Sequence, residues 1–146
     1  MDYRKSAEEW MQYMLLAEER GRLILGKVSE LARGELAVLR FLLQGNDGAG
    51  AKELSQRFQV NTSRTAAVLN SLEKKGYIRR VPSPDDRRMI HVFITEKGRA
   101  YALGKQEEFL EHSAAMLEKL GEEDTQHYIH IMKRLSEIWA AKQQNQ

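Results

Sequence analysis

The stretch that most restricts the fold lies at residues 77–94. YIRRV (77–81) and MIHVFI (89–94) are short runs rich in β-branched and aromatic residues, which predicts two strands. Pro82, Pro84 and the sequence Asp85-Asp86-Arg87-Arg88 lie between them, so the unit reads as a β-hairpin with a charged tip. A solvated turn needs polar residues, but it does not need this order of charges. The rest of the 146-residue chain is patterned as helix, and the expected fold class is mainly α with one small hairpin.

The helices follow from spacing and punctuation. Residues 6–28 put Trp10, Met14 and Ala17 on one face, with Gly21 and Gly26 weakening the later turns. GELAVLRFLLQ (34–44) repeats leucine at helical spacing, and GNDGAG (45–50) breaks the chain. AKELSQRF (51–58) is a short helix with Gly50 in its cap position, a weaker cap than Ser or Asp. Asn61 is a good N-cap for a helix that Gly76 stops, with Lys74 and Lys75 in the last turn where cations suit the helix dipole. Thr95 caps a long stretch over 96–120, with Gly98 and Gly104 as soft spots. Gly121 interrupts it, and helix resumes behind three acids at 122–124. Along that last helix Tyr128, Ile131, Met132, Leu135, Ile138 and Trp139 form an apolar stripe at near-heptad spacing.

Composition excludes several classes. There is no cysteine, so disulfides, thiolate zinc sites and cysteine redox sensing are removed together. The first residues lack the basic-then-apolar pattern of a signal peptide and no segment approaches membrane-spanning length, so a cytoplasmic compartment and no membrane partner are expected. Nothing resembles a catalytic set, and an enzyme is not expected. His127 and His130 lie three apart with Glu123 near, but without a further clear ligand they predict no metal site, and no cofactor is expected. Charge is unevenly spread. Lys52 to Arg99 holds eleven Lys+Arg against five Asp+Glu, a local balance of +6, whereas the remainder carries −4. A basic middle between acidic flanks fits a polyanion partner for the middle alone, or a chance cluster on a solvated face.

A short helix, a tight turn and a second helix within about twenty-five residues outline a helix-turn-helix. On the second helix Thr65, Val68, Leu69 and Leu72 share one side, and Ser63, Ala67, Asn70 and Lys74 line the other, with Ala66 and Ser71 on the borders. Small side chains let a helix settle deep in the major groove, where Ser and Asn can exchange hydrogen bonds with base edges. Asn61, Thr62, Ser63 and Arg64 lead the helix and are the first candidates to read bases; Arg64 suits a guanine edge or a phosphate.

A helix-turn-helix followed directly by a hairpin is a winged helix, and the hairpin tip is its wing. Arginine suits the narrow minor groove because its planar, weakly hydrated head tolerates partial desolvation. Asp86, two residues before Arg88, is spaced to hold that guanidinium in a charge-assisted fork. Asp85 and Arg87 read either as a second pair or as phosphate contacts. A winged helix can also dock another protein through the same surface, and that alternative stays open.

The run DDRRMIHVFITEKG resembles the wing signature of the MarR family of bacterial transcription regulators, Asp-x-Arg-x-x-x-Val-x-Leu-Thr-x-x-Gly. It is carried here by Asp86, Arg88, Val92, Ile94 in place of leucine, Thr95 and Gly98. Residues 51–80, including Leu72-Glu73-Lys74-Lys75-Gly76, are similar to the family's recognition unit. The likeness covers about residues 30–100 strongly and the flanks by pattern only. Gly50 stands where a Ser or Thr cap is usual, and Ala66 where the family often carries Thr, which removes one polar contact.

The resemblance implies one MarR-like domain over 1–146: a winged helix-turn-helix lobe at about 30–100, and helical dimerisation arms at about 1–29 and 101–146. It implies a homodimeric repressor of double-stranded DNA whose two winged helices meet a pseudo-palindromic operator. The exposed stripes support a dimer independently, with Trp10 and Met14 on the first arm and the 128–139 stripe on the second. The resemblance also implies a small aromatic or phenolic effector between lobe and arms, with Trp10, Met14, Phe41 and Met116 as candidate lining.

Overall fold

The computed structural model describes residues 1–21, 26, 28 and 31–144. Its elements, in chain order, are α1 (Tyr3–Arg20), α2 (Gly34–Phe41), a wide π-type turn (Leu42–Asn46), β1 (Ala49–Gly50), α3 (Ala51–Phe58), α4 (Thr62–Lys74), β2 (Ile78–Pro82), β3 (Ile90–Ile94), α5 (Glu96–Leu120) and α6 (Glu122–Gln144). The chain divides into two compact units, Met1–Phe109 and Leu110–Gln146, with the boundary inside α5. Among the described residues no helix is long and apolar enough to cross a membrane.

In the first unit the core is built where the helical and strand periods converge. Leu39, Leu42, Leu54, Leu69, Leu72, Ile78 and Val92 are fully buried, drawn from α2, the wide turn, α3, α4 and both hairpin strands. The sheet has three strands in the order β1-β3-β2, all antiparallel. In the hairpin Ile78 pairs with Ile94, Arg80 with Val92 and Pro82 with Ile90, so Ile78, Val92 and Ile94 turn the same face to the core. Strand β1 departs from the expectation of a two-stranded sheet. Ala49 and Gly50 pair with Val92 and His91, and a two-residue strand specified by partners forty residues away leaves no local periodicity to read.

Several boundaries also move. The first helix starts at Tyr3 because the Asp2 carboxylate accepts from the Arg4 and Lys5 N–H groups, and it closes at Gly21 rather than continuing to 28. The later residues 22–25 and 27 of that expected helix lie outside the described residues. Helix α2 stops at Phe41, since Gln44 and Gly45 leave helical geometry and Gly45 takes a φ of 89°. The short helix α3 begins at Gly50 with no side-chain cap, as its sequence implies.

The junction after α4 is set by glycine. Gly76, at φ 75°, lets its own N–H reach the Glu73 carbonyl and the Tyr77 N–H reach Leu72, a Schellman ending. Thr95 then ties the hairpin's far end to that turn. Its hydroxyl donates to the Gly76 carbonyl at 2.6 Å and accepts from the Gly98 N–H at 3.0 Å, while its own N–H donates to the Tyr77 carbonyl.

The second unit comprises the end of α5, a Gly121 turn at φ 89° and α6. The Thr125 hydroxyl donates to the Leu117 carbonyl across that turn. No described residue of α6 or of α1 is buried, although each carries a row of large apolar side chains.

Candidate nucleic-acid interface

Helices α3 and α4 meet through a turn in which Gln59 adopts a left-handed φ of 51° and Val60 donates to the Ser55 carbonyl. The Asn61 carboxamide oxygen accepts from the Arg64 N–H at 2.8 Å, so Asn61 caps α4 as its sequence predicts. The Ser55 hydroxyl donates to the Thr65 hydroxyl at 2.8 Å, and Thr65 in turn donates to the Asn61 carbonyl. These hydrogen bonds fix the angle between the two helices, and among the described residues every buried polar side-chain atom is partnered.

The two faces of α4 fall where the spacing puts them. Thr65, Leu69 and Leu72 are buried and Val68 is half-buried. Asn61, Thr62, Ser63, Arg64, Ala66, Ala67, Asn70 and Lys74 are exposed together. The outward surface is therefore slim and polar, with one guanidinium at its start and one ammonium at its end.

At the wing tip the structure corrects the expected fork. The Asp86 carboxylate accepts from the backbone N–H of Arg88 at 3.0 Å, and the Met89 N–H donates to the Asp86 carbonyl. No ion pair joins Asp86 to Arg88 or Asp85 to Arg87 among the described residues. An aspartate two residues before an N–H closes an Asx-turn more cheaply than it can immobilise a long side chain. The acid shapes the loop, and Arg87 and Arg88, both exposed, are carried outward on it. Sequence spacing alone cannot separate these two uses of Asp-x-Arg.

Wing and recognition helix are joined by a pair that the sequence reading missed. Glu73, in the last turn of α4, accepts from the Arg80 side chain at 2.8 and 3.2 Å and from the Arg80 backbone N–H at 3.2 Å. The Arg80 hydrogen bond, with its charge, holds the Glu73 carboxyl below the usual carboxylate range, and Arg80 is raised in return. A signal was present: Arg80 shares strand parity with Ile78, and an arginine on a core-facing side needs a partner. A second pair, Lys75 to Glu35 at 2.6 Å, ties the end of α4 to α2. Burial pushes Glu35 up, but hydrogen bonds from Lys75 and Ser71 outweigh it and leave the carboxyl lowered.

These contacts sort the eleven basic residues between Lys52 and Arg99. Lys75 and Arg80 are spent on carboxylates, and Arg57, Arg79 and Lys97 lie over the rings of Phe41, Phe93 and Tyr77. Lys52, Arg64, Lys74, Arg87, Arg88 and Arg99 have no ion pair or ring contact among the described residues. Four of these six are the cations the sequence nominated at the recognition helix and the wing tip.

The other nominated residues separate. Trp10, Met14, Tyr128, Ile131, Met132, Ile138 and Trp139 are exposed, Trp10 to 64% and Trp139 to 55%, while Leu135 is half-buried. Of the candidate effector lining, Phe41 packs against the lobe core and meets Phe58 edge-on at 6.0 Å, so it is a core residue; Met116 is exposed.

Comparison with known proteins agrees with this geometry. Residues 29–89 match a family model described as the MarR family. The uncharacterized HTH-type transcriptional regulator YfiV of Bacillus subtilis is 28% identical over 123 residues, covering 82% of this chain and 75% of the relative. Other curated relatives are matched over about half of their own length. Among solved structures, a MarR family protein from Bacillus stearothermophilus superposes with a TM-score of 0.74 at 19% identity, covering 96% of this chain and 99% of that one. FabT of Streptococcus pneumoniae, solved in complex with DNA, does so with a TM-score of 0.66 at 21% identity, over 99% of this chain and all of that one. These neighbours share its mainly helical winged-helix fold with a small antiparallel sheet. Members of the matched family are transcriptional regulators and not enzymes. A helix-turn-helix, a wing and a Thr95–Gly98 junction in this arrangement agree with the match of residues 29–89 to the MarR family model and with the winged-helix fold of the solved structures.

Proposed function

We propose that this chain is a sequence-specific double-stranded DNA-binding repressor that works as a homodimer on a pseudo-palindromic operator and is released by a small ligand. The observation that carries the reading is the sorting of cations. Lys75 and Arg80 are held by carboxylates and Arg57, Arg79 and Lys97 lie over aromatic rings, whereas Arg64, Lys74, Arg87 and Arg88, on α4 and the wing tip, have no such contact among the described residues. On this reading Ser63, Ala67 and Asn70 meet base edges, Asn61 and Thr62 present the helix start to phosphate, and Arg87 and Arg88 enter the adjacent minor groove.

The dimer is supported by what α1 and α6 leave uncovered. Helices without tertiary packing are marginal, and these two expose both tryptophans and a run of Met, Ile and Tyr. In a twofold assembly of arms 1–29 and 101–146, two recognition helices lie about 34 Å apart, one turn of the duplex.

Selection from random duplexes at moderate salt, followed by a salt titration of the winning site, tests this. The expected result is an inverted repeat whose affinity falls steeply with salt as counterions are displaced. No retained duplex at low ionic strength, or a shallow slope, would reject it in favour of a protein-docking winged helix.

A further inference from the structure

Between Leu31 and Arg99 the large apolar side chains left exposed are Val81, at 38%, and Met89, at 53%. Both belong to the wing. In the hairpin register Val81 faces His91, and the Ser83 N–H donates to the Met89 carbonyl at 2.7 Å, which carries the pairing one step past the strand ends. Alternation then puts Met89 on the side of Val81, His91 and Phe93, opposite the core-facing Val92 and Ile94. Nearer the core that side is covered, because the Arg79 guanidinium lies 6.0 Å from the centre of the Phe93 ring. Toward the tip Val81 and Met89 stay open to solvent.

Single exposed apolar residues are ordinary; what signifies here is their company. Met89 directly follows Arg87 and Arg88, whose guanidiniums have no ion pair or ring contact among the described residues. Its backbone is pinned on both sides. The N–H donates to the Asp86 carbonyl at 2.9 Å and the carbonyl is held by Ser83, so the thioether leaves a fixed point beside the arginines. Cations at a tip with an apolar edge behind them match the minor groove of a duplex. Its negative potential draws arginine, and its walls, about 6 Å apart, are deoxyribose C–H surface. A stable protein interface needs roughly 1,000 Å² or more, which is beyond two side chains. Methionine, unbranched and polarisable, adapts to an irregular wall.

We propose that Met89, with Val81 behind it, packs on the deoxyribose wall of the minor groove that Arg87 and Arg88 enter. This rests on the DNA-binding reading above and adds to it an apolar share of the affinity that salt does not screen.

The test uses the full chain and the inverted-repeat duplex recovered by random selection. Met89→Gln, of similar length but polar, should weaken binding about three- to tenfold, the share of a half-exposed methionine that the contact would cover. Met89→Leu, apolar and of like volume, should stay within about twofold. Neither should change the slope of affinity against salt, whereas Arg88→Gln should lower it by about one. In the complex, the Met89 methyl protons should show nuclear Overhauser contacts to deoxyribose protons. Met89 is exposed, so both variants should melt with the parent chain. Met89→Gln within twofold of the parent overturns the contact, as does Met89→Leu as weak as Met89→Gln, a lowered salt slope in Met89→Gln, or a Met89 methyl without deoxyribose neighbours. Self-association lost in Met89→Gln with DNA affinity intact assigns the face to a protein contact and overturns it too. In all of these cases the parent still holds its duplex and the DNA reading stands. A parent chain that retains no duplex removes that reading and this inference together.

Discussion

Gly98 is the position where one added methyl group should do the most damage. A Cβ there would overlap the Tyr77 carbonyl oxygen and lie 2.8 Å from its carbonyl carbon and 3.0 Å from its Cα. These are backbone atoms, so no side chain can swing aside. Relief requires the start of α5 to back away from β2, and that stretches the Thr95 N–H bond to Tyr77 and the Thr95 hydroxyl bond to Gly76. Overpacking costs about 1–3 kcal/mol and each lost hydrogen bond about 1 kcal/mol, against about 1 kcal/mol gained in helix propensity. Gly98→Ala should therefore lose about 3 kcal/mol, or roughly 6–12 °C in Tm for a chain of this size. Gly104→Ala is the control on the same helix. A Cβ there meets nothing within 4 Å, so it should gain up to about 1 kcal/mol. Thermal melts of both variants at one protein concentration read the difference. If Gly98→Ala melts within about 2 °C of Gly104→Ala, the close approach does not exist in solution and the argument fails.

The wing tip separates shape from charge: Asp86→Asn keeps an oxygen for the Arg88 N–H and should retain DNA affinity, whereas Asp86→Ala should lose about 1 kcal/mol in a fluorescence-anisotropy titration. Equal loss by both variants would restore a role for the charge. The Glu73–Arg80 pair makes a pH prediction. Because pairing lowers the folded-state value of Glu73, its stabilisation is present above the ordinary carboxylate range and is lost as pH falls through the lowered value. The stability gap between the parent chain and Glu73→Gln should accordingly shrink toward zero on acidification, and a gap independent of pH would show that the pair contributes nothing through charge. Trp139→Asp should shift sedimentation toward monomer, since it puts a carboxylate at the C-terminal end of the exposed α6 stripe; an unchanged sedimentation coefficient would mean the stripe is not the interface.

The sequence carried what repeats locally. Apolar spacing placed α3, α4 and the two hairpin strands to within a residue or two, and the same spacing divided α4 into a buried and an exposed side. It did not carry what depends on distant partners. Strand β1 exists because Ala49 and Gly50 find β3, with Gly48 carbonyl meeting the His91 ring and the Asp47 carboxylate accepting from Ile94. The Asp86 carboxylate was read correctly as an organiser of the tip but assigned to the wrong atom. A guanidinium and an N–H at the same sequence distance differ only in reach and entropy, and neither shows in a string of letters.

The place of Glu73 and Arg80 explains why the family signature ends as it does. The recognition helix and the wing must hold a fixed angle to grip one duplex together, and the link between them is a single tight turn at Gly76. Three contacts stiffen that turn: Glu73 to Arg80 before it on the strand side, Thr95 to Gly76 across it, and Gly98 pressed against Tyr77 behind it. Thr95 supplies a hydroxyl that donates to one side and accepts from the other, which valine would not. Gly98 supplies the missing Cβ that lets α5 start in contact with the first hairpin strand. On the proposed DNA-binding reading, Thr-x-x-Gly sets the distance between the cations of α4 and those of the wing tip.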